Sequence, residues 1–443
     1  ITGNLMWSSF PGRGSYKLPS VTPDDEKIIR ETVRKYAANP DLFGYYLSDE
    51  PEISGISASG LIHAAAIIRD EDPYHPIVIS NDTVIGAKDY ADAAEINGLH
   101  PYPNPAKNES KSNFSKVATF MDQAVDFNRD RRHPQTVAYL QQGFNYGDHG
   151  AANSRIPSYD EIRTQYLMTL IMGGRGILTY NRTTPHYPEL YLGMPEMVRE
   201  VRYLAPALLE DDVTDPANRV DNGNVRMLAK KHNGEWWIFA VSTTPGREPA
   251  RFTLPALGDR ELHAVSEDRA LKAVNGEFAD LFDNYQVHIY TTDPAPSGLK
   301  SVAAIEAEIA AANAARAKPG NLAFQMFEHD KLTISASSNK AMARRADSNL
   351  WHVTDGVIAD YENRSKPLVI WSDDTPGQGP DWIELDFGHP IAMGKAVIYP
   401  VDNALRDYEI QLWKDGRFET AATVKNASGK KQEISFKPLE SQK

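Results

Sequence analysis

The stretch from Leu42 to Pro51 constrains the fold more than any other part of the chain. Leu42-Phe-Gly-Tyr-Tyr-Leu-Ser48 is almost continuously apolar and aromatic, and it stops at two adjacent carboxylates, Asp49 and Glu50, and a proline. A strand covered on both faces reads as such an unbroken run, whereas a strand with one wet face alternates. Pro51 has no N–H to give the ladder and ends it. The segment therefore predicts a buried parallel strand with Asp49 and Glu50 at its C-terminal end. The plainer alternative gives the two acids to the N-terminus of a following helix, where negative charge is favoured.

A parallel strand needs crossovers, and the sequence supplies them. From residue 1 to about 209, strand and helix patterns alternate. Ile1 to Ser8 reads as a strand. Thr22-Pro-Asp-Asp-Glu26 is an N-cap with proline and acids in the first turn, opening an amphipathic helix to about Ala38. Further helices are expected around Ile56 to Arg69, Phe114 to Asn128 and Ser158 to Met172. Further strands are expected at Pro76 to Ser80, Ala94 to His100, Thr136 to Gln141 and Gly176 to Tyr180. With the runs from Ile1 and Leu42 this makes six strands, so in an eightfold (β/α) barrel, a TIM barrel, the first two units are expected to precede Ile1. The Asp49-Glu50 strand would then be the fourth. Ile1-Thr-Gly-Asn-Leu-Met-Trp7 lacks the charged start and apolar core of a signal peptide and reads as the middle of a strand.

Near Asp211 the texture changes to short alternating strands, at Val225 to Lys231, Trp236 to Val241, Ala250 to Leu254 and Tyr285 to Tyr290. With the turn pairs Asn222-Gly and Asn233-Gly this predicts a small β-sandwich over 210–296. Asp280-Leu-Phe-Asp283 reads as a turn rather than a metal site. Ser301 to Lys318 is alanine-rich and predicts a helical linker within 297–320, ended by Pro319-Gly320. A second all-β unit is expected over 321–443, with strands at Leu332 to Ala336, Trp382 to Phe387, Ala396 to Tyr399, Tyr408 to Trp413 and Gln432 to Phe436. The fold class is thus α/β, a barrel over 1–209, followed by two all-β domains.

Composition removes several classes of function. The 443 residues carry a net charge of −13, without the clustered Lys and Arg that neutralise phosphates, so nucleic acid is not an expected partner. A neutral polymer suits the chain better. No apolar run approaches the roughly 18 residues of a spanning helix. There are no cysteines and 12 scattered histidines, with no His-Glu-x-x-His spacing for a catalytic zinc.

The C-terminal unit carries several ordered motifs: Thr354-Asp-Gly356, Trp371, Trp382 to Gly388, and Arg406 to Gly416. These resemble the discoidin-like (coagulation factor type C) family of jelly rolls. The resemblance implies a carbohydrate-binding module and a structural calcium near Asp355, against a plain turn there. Residues 1–209 resemble the large glycoside hydrolase barrel superfamily that places its proton donor after strand four in Asn-Glu-Pro. Here Asp49 replaces the asparagine, while Glu50 and Pro51 match. Ala94 to Pro103 resembles the sixth strand of that superfamily, and Arg155 to Tyr180 its last crossover and eighth strand. The resemblance makes Glu50 the general acid, with a pKa raised by burial and a like-charged neighbour. It implies a carbohydrate substrate, no catalytic cofactor and an exported bacterial protein, partnered by the missing N-terminal part of the same chain.

The seventh strand departs from the pattern. That superfamily ends it in a glutamate nucleophile, whereas Tyr139-Leu-Gln-Gln-Gly-Phe144 offers Gln141 and Gln142, and an amide cannot form the glycosyl ester. Three routes remain. Asp49 and Glu50 resemble the Asp-Glu pair of N-acetylhexosaminidases, where the substrate's acetamido oxygen attacks, aspartate orients it and glutamate donates the proton. Adjacent strand residues alternate faces, so that route needs the strand to bend or end between them. A loop aspartate, Asp82 or Asp148, would instead make an inverting enzyme. The third route is a barrel that binds glycans without cleaving them. Around the acid, Trp7, Tyr46, His100, Tyr102, Gln141, Gln142, Tyr180 and Asn181 fall at or near strand ends and are the expected sugar contacts. Trp236, Trp237, Trp382 and Trp413 are assigned to β-sheet cores.

Overall fold

The computed structural model describes residues 4–7, 21–149, 151, 153–181, 187–294, 298–326, 330–339, 350–358, 370–401 and 404–443, with backbone alone at 4–7 and 148–149. Its first part runs β1 (Asn4–Trp7), α1 (Pro23–Tyr36), β2 (Leu42–Asp49), α2 (Pro51–Ser54), α3 (Ala58–Glu71), β3 (Ile77–Asn81), α4 (Val84–Asp89) and β4 (Ile96–Leu99). It continues through α5 (Ser115–Arg129), β5 (Thr136–Gly143), α6 (Tyr159–Ile171), β6 (Gly176–Asn181), α7 (Pro188–Tyr191) and α8 (Gly193–Leu208). The six strands form one sheet in the order β1-β2-β3-β4-β5-β6, and every neighbouring pair is parallel. A strand order that never reverses has no switch point of the doubly wound kind. It is the order of a barrel wall, here a parallel half-barrel, and it brings all six C-terminal ends to one rim.

Local chemistry explains the helices. Thr22 caps α1 with a reciprocal capping box to Asp25, Pro23 opens the helix, and Arg34 and Lys35 close its last turn. Ser158 caps α6 in the same way with Glu161. Nearly every residue of α6 is buried, including Arg163, Thr164 and Gln165. A helix hidden on all sides needs cover beyond its own sheet, and the next unit supplies it.

That unit contains β7 (Arg219–Val220), β8 (Val225–His232), β9 (Glu235–Ser242), β10 (Glu248–Thr253), β11 (Arg260–Ala264), β12 (Ala270–Ala273), β13 (Glu277–Phe282) and β14 (Val287–Thr291). Two sheets, β13-β10-β7 and β12-β11-β14-β9-β8, sandwich a core in which Phe252 stacks on Phe278. The far face of β9 and β14 offers Trp237, Phe239, Val241, Val287 and Ile289 to the helices, and these share one buried cluster with Tyr166, Leu167 and Leu204. At this seam Arg163 pairs with Glu200 at 2.9 Å, both side chains 2% exposed. Arg163 also donates to the Val287 carbonyl at 3.1 Å, and the Ser266 hydroxyl donates to Glu200 at 2.8 Å.

Three expectations need correction. Asp280 lies inside strand β13, and the turn is confined to the residues after Phe282. Phe278, Asp280 and Phe282 alternate inward, and the inward carboxylate is paired with Arg269 at 2.6 Å and Tyr290 at 2.7 Å. That partnered acid masks the period-two pattern. The alanine-rich helix α9 (Val302–Arg316) is no free spacer: Ile305 and Ile309 enter the main core, and Glu306 accepts the Asp160 N–H. Trp382 is 49% exposed rather than core, whereas Trp236 and Trp237 are buried.

The last part holds β15 (Thr333–Ala336), β16 (Ile383–Asp386), β17 (Ile391–Ile398), β18 (Tyr408–Lys414), β19 (Arg417–Val424) and β20 (Gln432–Ser441). They pair antiparallel as β15-β16, β17-β20 and β18-β19. Among the described residues no helix is long and apolar enough to cross a membrane.

Candidate active site

The rim is built from the ends of β2, β3, β4, β5 and β6. In β2 the pairing with β3 slips between Tyr46 and Ser48, so that Tyr46 faces Val78 and Asp49 faces Ser80. This bulge shifts the alternation by one residue and turns Asp49 onto the face of Tyr46. The Tyr46 hydroxyl donates to Asp49 Oδ1 at 2.9 Å, and the Ser80 hydroxyl donates to the same oxygen at 2.5 Å.

Glu50 then leaves the strand in the left-handed region, with φ 44° and ψ 55°. For a side chain with a Cβ this conformation costs about 1–3 kcal/mol. It is held by the Glu50 N–H on the Ser80 carbonyl at 3.0 Å and by Pro51 opening α2 behind it. Bulge and left-handed turn together satisfy the condition that two adjacent strand residues serve one site. Burial raises the Glu50 pKa above the usual glutamate range, and Asp49, Asp82 and Glu52 add to the rise.

His100 follows β4 and is 2% exposed. Its Nε2 lies 3.7 Å from Glu50 Oε1, and its Nδ1 lies 3.7 Å from Asp82 Oδ1. Among the described residues neither ring nitrogen has a hydrogen-bond partner. Burial lowers the histidine pKa although Asp82 and Asp49 oppose it, so the ring is held neutral. One ligand atom each from Glu50, Asp82 and His100 lies within 4.8 Å of the others, a grouping the scattered histidines of the sequence did not reveal. A cation would take only one imidazole nitrogen, whereas here each nitrogen faces a different carboxylate. The arrangement suits proton and hydroxyl chemistry better than metal ligation.

An aromatic wall stands beside the acids. Tyr102 lies 5.3 Å from His100 and 5.1 Å from Phe144, and Phe144 packs edge-on against Tyr146 at 4.9 Å and Tyr180 at 5.4 Å. Tyr102, Tyr146 and Tyr180 are each partly exposed, so ring surface faces the rim. Asn181 sits beside them and approaches Met194.

Gln141 and Gln142 are not placed as sugar contacts, a further correction to the sequence reading. Both are 0% exposed. Gln141 donates to the Ile162 carbonyl at 2.6 Å and accepts from Thr179. Gln142 accepts the Asn104 N–H at 2.9 Å and donates to the Phe144 carbonyl at 3.1 Å. Their amides join β5 to its neighbours. Trp7 pairs with Tyr46 through β1, and its side chain, like that of Asp148, lies outside the described residues. Asp355 is 1% exposed, bonded to His352 Nδ1 at 2.9 Å and to the Val357 N–H at 2.7 Å. Those bonds close a turn.

Two contributors escaped the sequence reading. Tyr146 opens a 3-10 turn after β5, and its pKa is raised by burial and by Asp82 and Glu50. Glu52 accepts from the backbone N–H of Asp82 at 2.8 Å and of Thr83 at 3.1 Å, and from the Asn81 amide at 2.7 Å. The only signal for Glu52 was an acid two residues beyond Glu50, a poor one without the fold.

Residues 352–443 match the model of a family described as a NedA-like, galactose-binding domain. No curated protein matches the chain. Among solved structures it is similar to an Anoxybacillus α-amylase, at 13% identity and TM-score 0.43, over 63% of this chain and 64% of that one. It is also similar to a GH27 β-L-arabinopyranosidase from Geobacillus stearothermophilus, at 12% identity and TM-score 0.40, over 62% of this chain and 63% of that one. A third is a GH30 endoxylanase from Clostridium papyrosolvens, at 9% identity and TM-score 0.38, over 63% of this chain and 75% of that one. The chain spans under two thirds of the length of the first two. These likenesses are distant, and the chemistry of the rim stands on its own geometry. The chain thus joins a parallel half-barrel bearing a carboxylate-rich rim to β-rich units, the last of them similar to a galactose-binding family.

Proposed function

We propose that the chain is a glycoside hydrolase in which Glu50 is the general acid and base. One observation carries the reading: a strained, half-buried glutamate, with its pKa raised, stands at the C-terminal rim of a parallel sheet beside a second carboxylate and a wall of tyrosines. A protonated carboxyl near neutral pH can give its proton to a leaving glycosidic oxygen, and tyrosine faces can stack on sugar rings. The C-terminal module would hold the enzyme on galactose-containing glycans, with exposed Trp382 available as a contact. A polymeric substrate places the protein outside the cytoplasm of a bacterium.

A second reading gives the attack to an acetamido oxygen of the substrate, oriented by Asp49. The anchoring of Asp49 by Tyr46 and Ser80 supports it, because a fixed carboxylate is what that role needs. The test of the main reading is Glu50→Gln assayed against a panel of oligosaccharides and aryl glycosides. Loss of about a hundredfold or more in turnover, with glycan binding retained, is expected. Undiminished cleavage by the variant would remove Glu50 from the chemistry and the reading with it.

A further inference from the structure

We propose that Asp82 is the nucleophile of a retaining double displacement and that His100 is its positioning residue, an inference that rests on the glycosidase reading above. Spacing is the first argument. Retaining enzymes hold their carboxyl groups about 5–5.5 Å apart, and inverting enzymes about 6.5–9.5 Å, to admit a water. One carboxylate oxygen of Glu50 lies within 4.8 Å of one oxygen of Asp82, which favours the shorter, retaining spacing. Asp82, expected from sequence as an inverting base, therefore stands where a nucleophile would.

Its surroundings fit the role. The backbone of Asp82 is fixed through Glu52, while its carboxylate accepts no hydrogen bond among the described residues and its side chain is 43% exposed. Asp49 differs, since its Oδ1 already takes two hydroxyl hydrogens, which weaken it as a nucleophile. His100 is the independent sign that a ligand belongs here. A buried imidazole with two unpartnered nitrogens, each aimed at a different carboxylate, is incomplete without reactants. With its proton on Nδ1 it steadies charged Asp82, while the Nε2 lone pair faces protonated Glu50.

In the first step an Asp82 oxygen bonds the anomeric carbon, the glycosidic C–O bond breaks, and the Glu50 proton goes to the departing oxygen. In the second step water bonds that carbon, its proton goes to Glu50, and the ester bond to Asp82 breaks with the electron pair returning to the carboxylate. Configuration is retained overall.

The experiment incubates the full chain with 2,4-dinitrophenyl 2-deoxy-2-fluoro glycosides of galactose, glucose and xylose in both anomers, then maps the adduct by peptide mass spectrometry. An adduct on Asp82 is expected. Asp82→Ala should lose about a thousandfold or more in turnover and, with azide added, yield a glycosyl azide of inverted configuration. Glu50→Ala with azide should yield the azide of retained configuration. His100→Gln should slow turnover while shifting its pH profile. An adduct on another residue, or inverted product by NMR from an active chain, would overturn the assignment and leave Glu50 as the acid. Hydrolysis of no parent glycoside by the unsubstituted chain would overturn both readings.

Discussion

Glu52 Oε1 accepts the backbone N–H of Asp82 at 2.8 Å, so the residue two places beyond the proposed acid holds the strand end that carries the second carboxylate. The same side chain bonds Asn81 and Thr83, and Thr83 caps α4. The distance between Glu50 and Asp82 is therefore set by one carboxylate rather than by two independent loops.

Glu52→Ala leaves two backbone N–H groups and an amide without their acceptor, at a cost of about 1–3 kcal/mol, and frees the Asp82 loop. Gly86→Ala tests the same contact from the other side, because a Cβ there would lie 2.4 Å from the Glu52 carboxylate. Thermal melts and steady-state kinetics should show a lower kcat in both, with a smaller change in KM.

Glu50 should set an alkaline limb. Its pKa is raised, so the folded state keeps a proton that the unfolded state has lost. Stability from this group accordingly falls as pH rises from the unfolded value through the folded one. Activity that needs the protonated form falls over the same window. Glu50→Gln should lose the activity limb and melt higher than the parent at neutral pH, an advantage that fades at pH 4.

Gln142→Glu would put a carboxylate on β5 where the sequence resemblance led us to look for a nucleophile, yet no gain of turnover is expected. The site is fully buried and its amide donates to the Phe144 carbonyl, a bond an ionised glutamate cannot make. The variant should be destabilised by about 2 kcal/mol or more in denaturant titration.

The β2 end and its acids were legible because an apolar run stopped by a proline has few other readings. The bulge at Tyr46 to Ser48 was not, since a register shift depends on the partner strand. Gln142 was misplaced for a related reason: its position on β5 can be read, but its bonds to Asn104 and Phe144 belong to loops brought together by folding. Asp280 was hidden because Arg269 and Tyr290, far from it in pattern, make an inward carboxylate acceptable. Sequence spacing reports which face a residue takes in regular structure, and the site lies where structure ceases to be regular.

Asp72 offers a stability test remote from the rim. Burial pushes its pKa up, but hydrogen bonds from Tyr45, His75 and the Tyr74 backbone outweigh that and lower it. The stabilisation is present above the ordinary aspartate range and is lost as pH falls through the lowered value. Asp72→Ala should cost about 1–3 kcal/mol at pH 7, and the gap between melts of variant and parent should narrow in acid.

The pairing of Arg163 with Glu200, completed by Val287 and Ser266 from the sandwich, bears on how such a chain can be rearranged. The ion pair itself lies within the half-barrel part, but removing the sandwich would take away a carbonyl that Arg163 uses and a hydroxyl that Glu200 uses, a loss of about 1–3 kcal/mol for each buried group left unsatisfied. Recombination that exchanged this sandwich for an unrelated one would have to supply both contacts again at the same seam, so the half-barrel and its neighbour should travel between genomes as a single cassette.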